Sequence, residues 1–265
     1  MAPLSVGLLR TIIAALITLP LVLVWRLPLP RRFGRMAQLA TAIGGSLIAF
    51  PLLFSLGVGR TSASHAGLIL AALPLPTGLF GMLAERRLPP WTWWIGAGIA
   101  LTGEVLLIGF DTGAAARSAT LTGDLLVAVG ALGAAAGHVA GARLSITFGT
   151  WPTALWGISL AGLILLPVLS WQTDPQSLAA AGTEAWLAIG FLAGGSTLLA
   201  FAAWYWALAR GGVTRMGAVQ FLQPVVTLAL AAVLLDEPLT WRLVLAAAVI
   251  LAGVALTQQR WQTRH

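Results

Sequence analysis

GGSLIAFPLLFSLGVGR at residues 44–60 and GGSTLLAFAAWYWALAR at residues 194–210 share their first three residues and their last, 150 positions apart. Extended outward at the same offset with no gap, residues 44–106 lie over residues 194–256 with 12 identities in 63 positions. In a chain this rich in Ala, Leu and Gly, about six or seven matches arise by chance. The weight therefore rests on scarcer residues: Arg60 with Arg210, Pro74 with Pro224 and Trp91 with Trp241. The loops fall in register as well. The chain reads as an internal duplication, a first repeat over 1–115 and a second over 116–265.

Both copies are apolar almost throughout. Of 265 residues 58% are hydrophobic, 9% are charged and 30 are glycine. Soluble domains carry about 45–50% apolar residues, glycine included, and about 25% charged ones. A globule of this size cannot hide so much apolar surface from water, so lipid is the remaining solvent. Soluble enzymes, secreted scaffolds and disordered chains are excluded. The chain has no cysteine, hence no disulfide, thiolate metal site or thiol nucleophile. All 15 basic side chains are Arg, which excludes a Lys-dependent phosphate loop and with it ATP hydrolysis. No cofactor is expected.

About 20 apolar residues in helical form cross a bilayer core. Nine such stretches run over 4–25, 37–58, 62–84, 91–110, 121–142, 152–171, 185–209, 213–235 and 241–258. The fold class is thus an all-α, polytopic membrane protein in a lipid bilayer. Residues 1–25 read as a retained span, because no small-x-small cleavage site follows and the downstream flank is basic. Cytoplasmic loops are enriched in Arg. Arg26, Arg31, Arg32, Arg35, Arg86, Arg87, Arg143, Arg210, Arg215, Arg260 and Arg264 alternate to one side. Arg60, Arg117 and Arg242 fall on the other, with Asp111, Asp174, Glu184, Asp236 and Glu237. This predicts a cytoplasmic C-terminus, and it explains the net charge of +7 without nucleic acid as a partner.

Five helices separate each span from its counterpart. An odd number turns the copies opposite ways in the membrane, giving inverted repeats of four and five helices. That is an architecture of secondary transporters. The fifth span lacks a counterpart, which would precede Met1; either the true start lies upstream or this version works without that helix.

Several stretches resemble the EamA-type drug/metabolite transporter superfamily. LLRTIIAAL at 8–16 resembles that family's second helix. Gly67–Gly103, with Pro74 and AERRL at 84–88, resembles the end of its first repeat. WYWALAR at 204–210, QPVVT at 223–227 and DEPLT at 236–240 resemble its second repeat. The resemblance covers nearly the whole chain, through short motifs whose order and spacing carry it. It implies a ten-helix permease of the bacterial inner membrane that moves small metabolites, amino acids or drugs, often outward. The chain departs from this in lacking the usual first helix.

Candidate substrate-binding residues follow from what is costly in lipid. Pro74 and Pro224 sit near the centres of their spans, and proline frees a backbone acceptor four residues back, at Leu70 and at Gln220. A symmetry-related pair of interrupted helices points to a central site; kinking for packing alone is the alternative. Gln220 and Gln223 share a face of the eighth span, as helix glue or solute ligands. Trp204 and Tyr205 wall a cavity or join an interfacial belt, and Trp206 reads as belt. Arg10, Glu104 and His138 are ionisable groups within spans, which default to functional roles. Arg10 matches the family's helix-two Arg. Glu104, the one carboxylate well inside a span, is the candidate for proton coupling. His138 reads as a ligand or as hydrogen-bonding glue, and His65 as a satisfied polar residue. Three His make no metal site.

Glu85 and Asp236–Glu237 read as boundary markers at helix ends. Gly44–Gly45–Ser46 and Gly194–Gly195–Ser196 read as close-packing surfaces, moving or static. Trp91, Trp93, Trp94, Trp151, Trp171 and Trp241 read as aromatic belts. The expected function is secondary transport of a small-molecule solute by alternating access around a site between the second, third, seventh and eighth spans. A membrane enzyme fails for want of a paired acid and base. A membrane assembly subunit without transport of its own is the alternative. A homodimer is left open, with no feature pointing to it.

Overall fold

The structure, a computed structural model, describes residues 3–111, 120–173, 176, 178, 180–234 and 239–259. The expectations for Asp236–Glu237 and for Arg117, Asp174, Arg260 and Arg264 lie outside the described residues. Among the described residues, nine helices are long and apolar enough to cross a membrane: Leu4–Val24, Phe33–Val58, His65–Glu85, Trp91–Gly109, Leu121–Phe148, Thr150–Gln172, Thr183–Gly211, Val213–Leu234 and Trp241–Gln258. The chain is a multi-pass helical membrane protein.

Two spans run past their expected ends, each at an arginine. The second begins at Phe33, which takes in Arg35, and the fifth continues beyond Arg143 to Phe148. Arg143 is exposed and Arg35 is half-buried, its guanidinium 5.8 Å from the Phe148 ring centroid. A long basic side chain keeps its charge in water while its stem covers apolar surface, so a helix can carry it past the bilayer edge.

The described chain divides into two compact units. The first combines Met1–Leu56 with Leu132–Arg210, and the second combines Gly57–Ala131 with Gly211–His265. Each unit thus holds counterpart pairs: the first and second spans with the sixth and seventh, or the third and fourth with the eighth and ninth. In the first unit Ala14, Leu39, Ile43, Leu144, Ile158 and Ala193 share one core. In the second, Met82, Trp93, Ala97, Phe221, Ile250 and Val254 share another.

Counterpart spans run antiparallel where they touch. A Cβ on Gly96 would stand 2.6 Å from the Gly253 carbonyl oxygen, and one on Gly103 would stand 2.8 Å from Ile250 N and 3.1 Å from Ala246 O. Gly253, the counterpart of Gly103, faces Ala100 N and Gly96 O, the counterparts of Ile250 N and Ala246 O. The contact is therefore reciprocal, as across a two-fold axis. The first and sixth spans also run antiparallel, with Ser5 hydrogen-bonded to Thr173 at 3.0 Å and Thr18 to Ser159 at 2.8 Å. Copies pointing the same way would place counterpart helices parallel. These repeats are inverted.

The departures from regular helix are duplicated too. Ile43–Ala49 winds as a π-helix, and so does Leu192–Leu199, over the two Gly-Gly-Ser runs. Their surroundings differ. Gly45 and Ser46 pack on the fifth span, where a Cβ on Gly137 would stand 2.7 Å from Ser46 N, whereas Gly195 meets only the ring of Phe191 on its own span.

The third and eighth spans break before their prolines. The third is helical over Ala63–Ala71 and again over Pro74–Glu85; the eighth passes through a 3-10 turn over Ala218–Leu222 before Gln223–Leu234. The acceptors expected to be freed are not free. Leu73 N donates to Leu70 O at 2.9 Å, and Gln223 N donates to Gln220 O. Tightening from i→i+4 to i→i+3 supplies the donor that proline removes, as an apolar solvent requires. Three residues after each proline a threonine bonds back: Thr77 Oγ1 donates to Leu73 O and Thr227 Oγ1 to Gln223 O, both at 3.0 Å.

Candidate functional site

In the first unit, the expected residues gather where the second, fifth and seventh spans meet. Gly137 and Gly141 leave one face of the fifth span without side chains. Ser46 fills the space at Gly137, and the Tyr205 ring that at Gly141. The Tyr205 hydroxyl faces Ser46, whose own Oγ donates to Ala134 O at 3.2 Å. One residue from Gly137, His138 meets Trp204 edge to face, the ring centroids 5.8 Å apart. On these two touching rings, His138 Nδ1 and Trp204 Nε1 are enclosed with no hydrogen-bond partner. Buried polar groups are nearly always paired, so two such atoms on adjoining rings mark a polar nest. Arg10 is half-buried on the first span with Nε enclosed and unpaired. Trp206 is 50% exposed, with the Arg210 guanidinium 5.0 Å from its ring centroid; stacked with a cation near a span end, it fits the belt.

The second unit holds the other candidates. Pro74 is buried and Pro224 half-buried, each at its break. Gln220 lies in the 3-10 turn with both amide atoms enclosed and unpartnered, while Gln223 is exposed. Glu104 is 4% exposed on the fourth span, and its Oε2 has no partner.

Two polar clamps in this unit escaped the sequence reading. Glu85 accepts from Val213 N–H through Oε1 and from Thr214 Oγ1 at 3.0 Å through Oε2. It thereby caps the start of the eighth span, whose first amides have no intrahelical partner. The chain reaches that position through Gly212, at φ 83°, a backbone angle that favours glycine. At the opposite end of the third span, Asp124 accepts from Thr61 Oγ1 and lies 3.0 Å from His65 Nδ1, while Thr120 Oγ1 donates to Arg60 O at 2.6 Å. His65 is thus satisfied, as expected. Neither clamp has a spacing motif, since each joins residues more than 55 positions apart in sequence.

One belt expectation fails. Trp93 is fully buried, packs against Gly78 and donates from Nε1 to Thr214 O at 3.2 Å. Gly78 opens room for an indole, and the Thr214 carbonyl supplies its acceptor, so Trp93 is a core residue. Trp91, Trp151, Trp171 and Trp241 are more than half exposed, as belt residues are.

The EamA-like transporter family matches residues 1–109 and 121–258, nearly the whole chain. The chain belongs to the EamA-like transporter family. It is 32% identical over 257 residues to the uncharacterized transporter YdeK of Bacillus subtilis (strain 168), a match covering 97% of this chain and 88% of that protein. A second uncharacterized transporter of the same strain, YcxC, is 27% identical over 222 residues, covering 78% of this chain and 69% of its own length. A solved crystal structure matches with a TM-score of 0.81 at 23% identity, covering 98% of this chain and 89% of that one, and so shares the fold. This EamA-like chain is a membrane transporter, from a family of transporters rather than enzymes.

Proposed function

We propose that this transporter is a secondary exporter of small metabolites, amino acids or related amphipathic solutes, working by alternating access in a bacterial inner membrane with its C-terminus in the cytoplasm. The observation that carries the solute reading is the nest of enclosed, unpaired polar atoms on the touching rings of His138 and Trp204. An indole N–H donates, and an imidazole donates or accepts. Around them the Trp204 and Tyr205 faces offer the apolar wall that small-molecule sites require. Arg10 adds a positive charge on the neighbouring first span, suited to a carboxylate-bearing solute. Within the second unit by itself, Pro74, Gln220, Gln223 and Pro224 lie on broken segments of the kind found in inverted-repeat carriers. The Arg-rich loops support the orientation.

Counterflow into proteoliposomes tests this reading. Vesicles preloaded with unlabelled amino acids and related metabolites should accumulate at least one labelled counterpart. Replacing His138 with Leu or Trp204 with Ala should lower that counterflow by tenfold or more, as expected from about 1.4 kcal/mol of lost contact. Counterflow untouched by both substitutions contradicts the site, and none for any solute contradicts transport of this class.

A further inference from the structure

Glu104 has no role in the solute nest, yet it is 4% exposed and its Oε2 is enclosed without a hydrogen bond. No basic side chain among the described residues forms an ion pair with it. The ninth span turns Ala246 and Ile250 toward the adjoining Gly103; its nearest charge in register is Arg242, one turn before Ala246, with the guanidinium 5.7 Å from the Trp241 ring centroid. On the third span His65 is engaged by Asp124 and Glu85 caps the eighth. On the eighth, Arg215 donates to Gln258 at 2.8 Å, and the 3-10 turn presents the neutral Gln220.

The duplication supplies a control for this position. The counterpart of Glu104 is Val254, which is 6% exposed within the apolar core of the same unit. Two reciprocal packing positions thus hold a valine in one copy and a carboxyl in the other, so the fourth and ninth spans do not need a carboxyl in order to pack. Its depth follows from the antiparallel third and fourth spans. A Cβ on Gly67 would stand 3.5 Å from Ile108, and Gly78 meets the Trp93 ring. One turn along each span from the Gly67–Ile108 contact, Glu104 comes level with Ala71, the last residue before the break.

An enclosed carboxylate with no counter-charge is costly in lipid, whereas a protonated carboxyl costs far less. A group retained against that cost, beside a break in its neighbouring helix, is suited to picking up and releasing a proton. We infer that Glu104 is the proton-coupling carboxyl of this transporter. It takes a proton from water, carries it while enclosed and returns it to water when the segment around Ala72–Leu73 opens. One O–H bond forms and breaks, and no other bond changes. The inference rests on the transport reading and names its driving ion.

The test reads the proton directly, with no solute. The full chain is reconstituted in phosphatidylethanolamine–phosphatidylglycerol vesicles, and infrared difference spectra are recorded between alkaline and acid pH. A protonated-carboxyl C=O band should grow as pH falls, vanish in Glu104→Gln and return, shifted, in Glu104→Asp. Glu104→Val should fold at least as stably as the unsubstituted protein, since valine serves at the counterpart position. A titrating band unchanged in both Glu104→Gln and Glu104→Val, or none in the unsubstituted protein, overturns the inference. Either result leaves solute counterflow in the same vesicles untouched; loss of all counterflow with the Glu104 band present would instead remove the transport reading.

Discussion

Glu85 shows how much of this fold rests on single side chains that reach across to other spans. It is half-buried and satisfies Val213 N–H and Thr214 Oγ1 at the start of the eighth span. Losing a capping group costs about 0.5–2 kcal/mol. Glu85→Ala should therefore lower the unfolding temperature in detergent by several degrees, with Glu85→Gln falling less because its amide oxygen still accepts. A null result for Glu85→Ala would place the restraint elsewhere. The glycines divide by what surrounds them. A valine at Gly253 would drive its side chain into the backbone of Ala100 and Gly96, an overpacking cost of about 1–3 kcal/mol. Gly98 is exposed with nothing within 4 Å, so alanine there should stabilise by up to about 1 kcal/mol through helix propensity. Thermal unfolding of Gly253→Val and Gly98→Ala should thus move in opposite directions.

Helix by helix, spans are legible in sequence because lipid demands one thing of them, about 20 apolar residues. All nine were readable, most to within two or three residues, and the two that overran did so at snorkelling arginines. Local winding was not legible. Gly-Gly-Ser reads as a packing surface whether the backbone is α or π, because hydropathy carries no information about which carbonyl an amide chooses. The prolines announced the breaks but not their repair, since the donors at Leu73 and Gln223 are backbone groups common to every sequence. Partial burial hid the candidate site in the same way: His138, Trp204 and Tyr205 were individually conspicuous, but their meeting depends on Gly137 and Gly141, silent until the fifth span is set against the second and seventh. The breaks are testable as elements. Alanine at Pro74 and Pro224 together restores two amide donors, so residues 72–77 and 222–227 should exchange hydrogen more slowly. Unchanged or faster exchange would mean that the surrounding packing, not proline, holds the turns open.

The molecule as a whole is organised by one duplication seen three ways: the sequence register, the repeated π segments and breaks before proline, and the reciprocal antiparallel contact of the fourth and ninth spans. The compact units cut across the repeats, each taking counterpart spans from both. Inversion is the property on which the transporter account depends, because it gives a carrier two equivalent ways to face the membrane. Its most direct test uses the absence of native cysteine. Single cysteines replacing Arg60 and its counterpart Arg210 are challenged in intact cells with a membrane-impermeant maleimide. Arg60→Cys should label from outside, and Arg210→Cys only after the cells are opened. Labelling of both from the same side would contradict inverted repeats and the mechanism built on them.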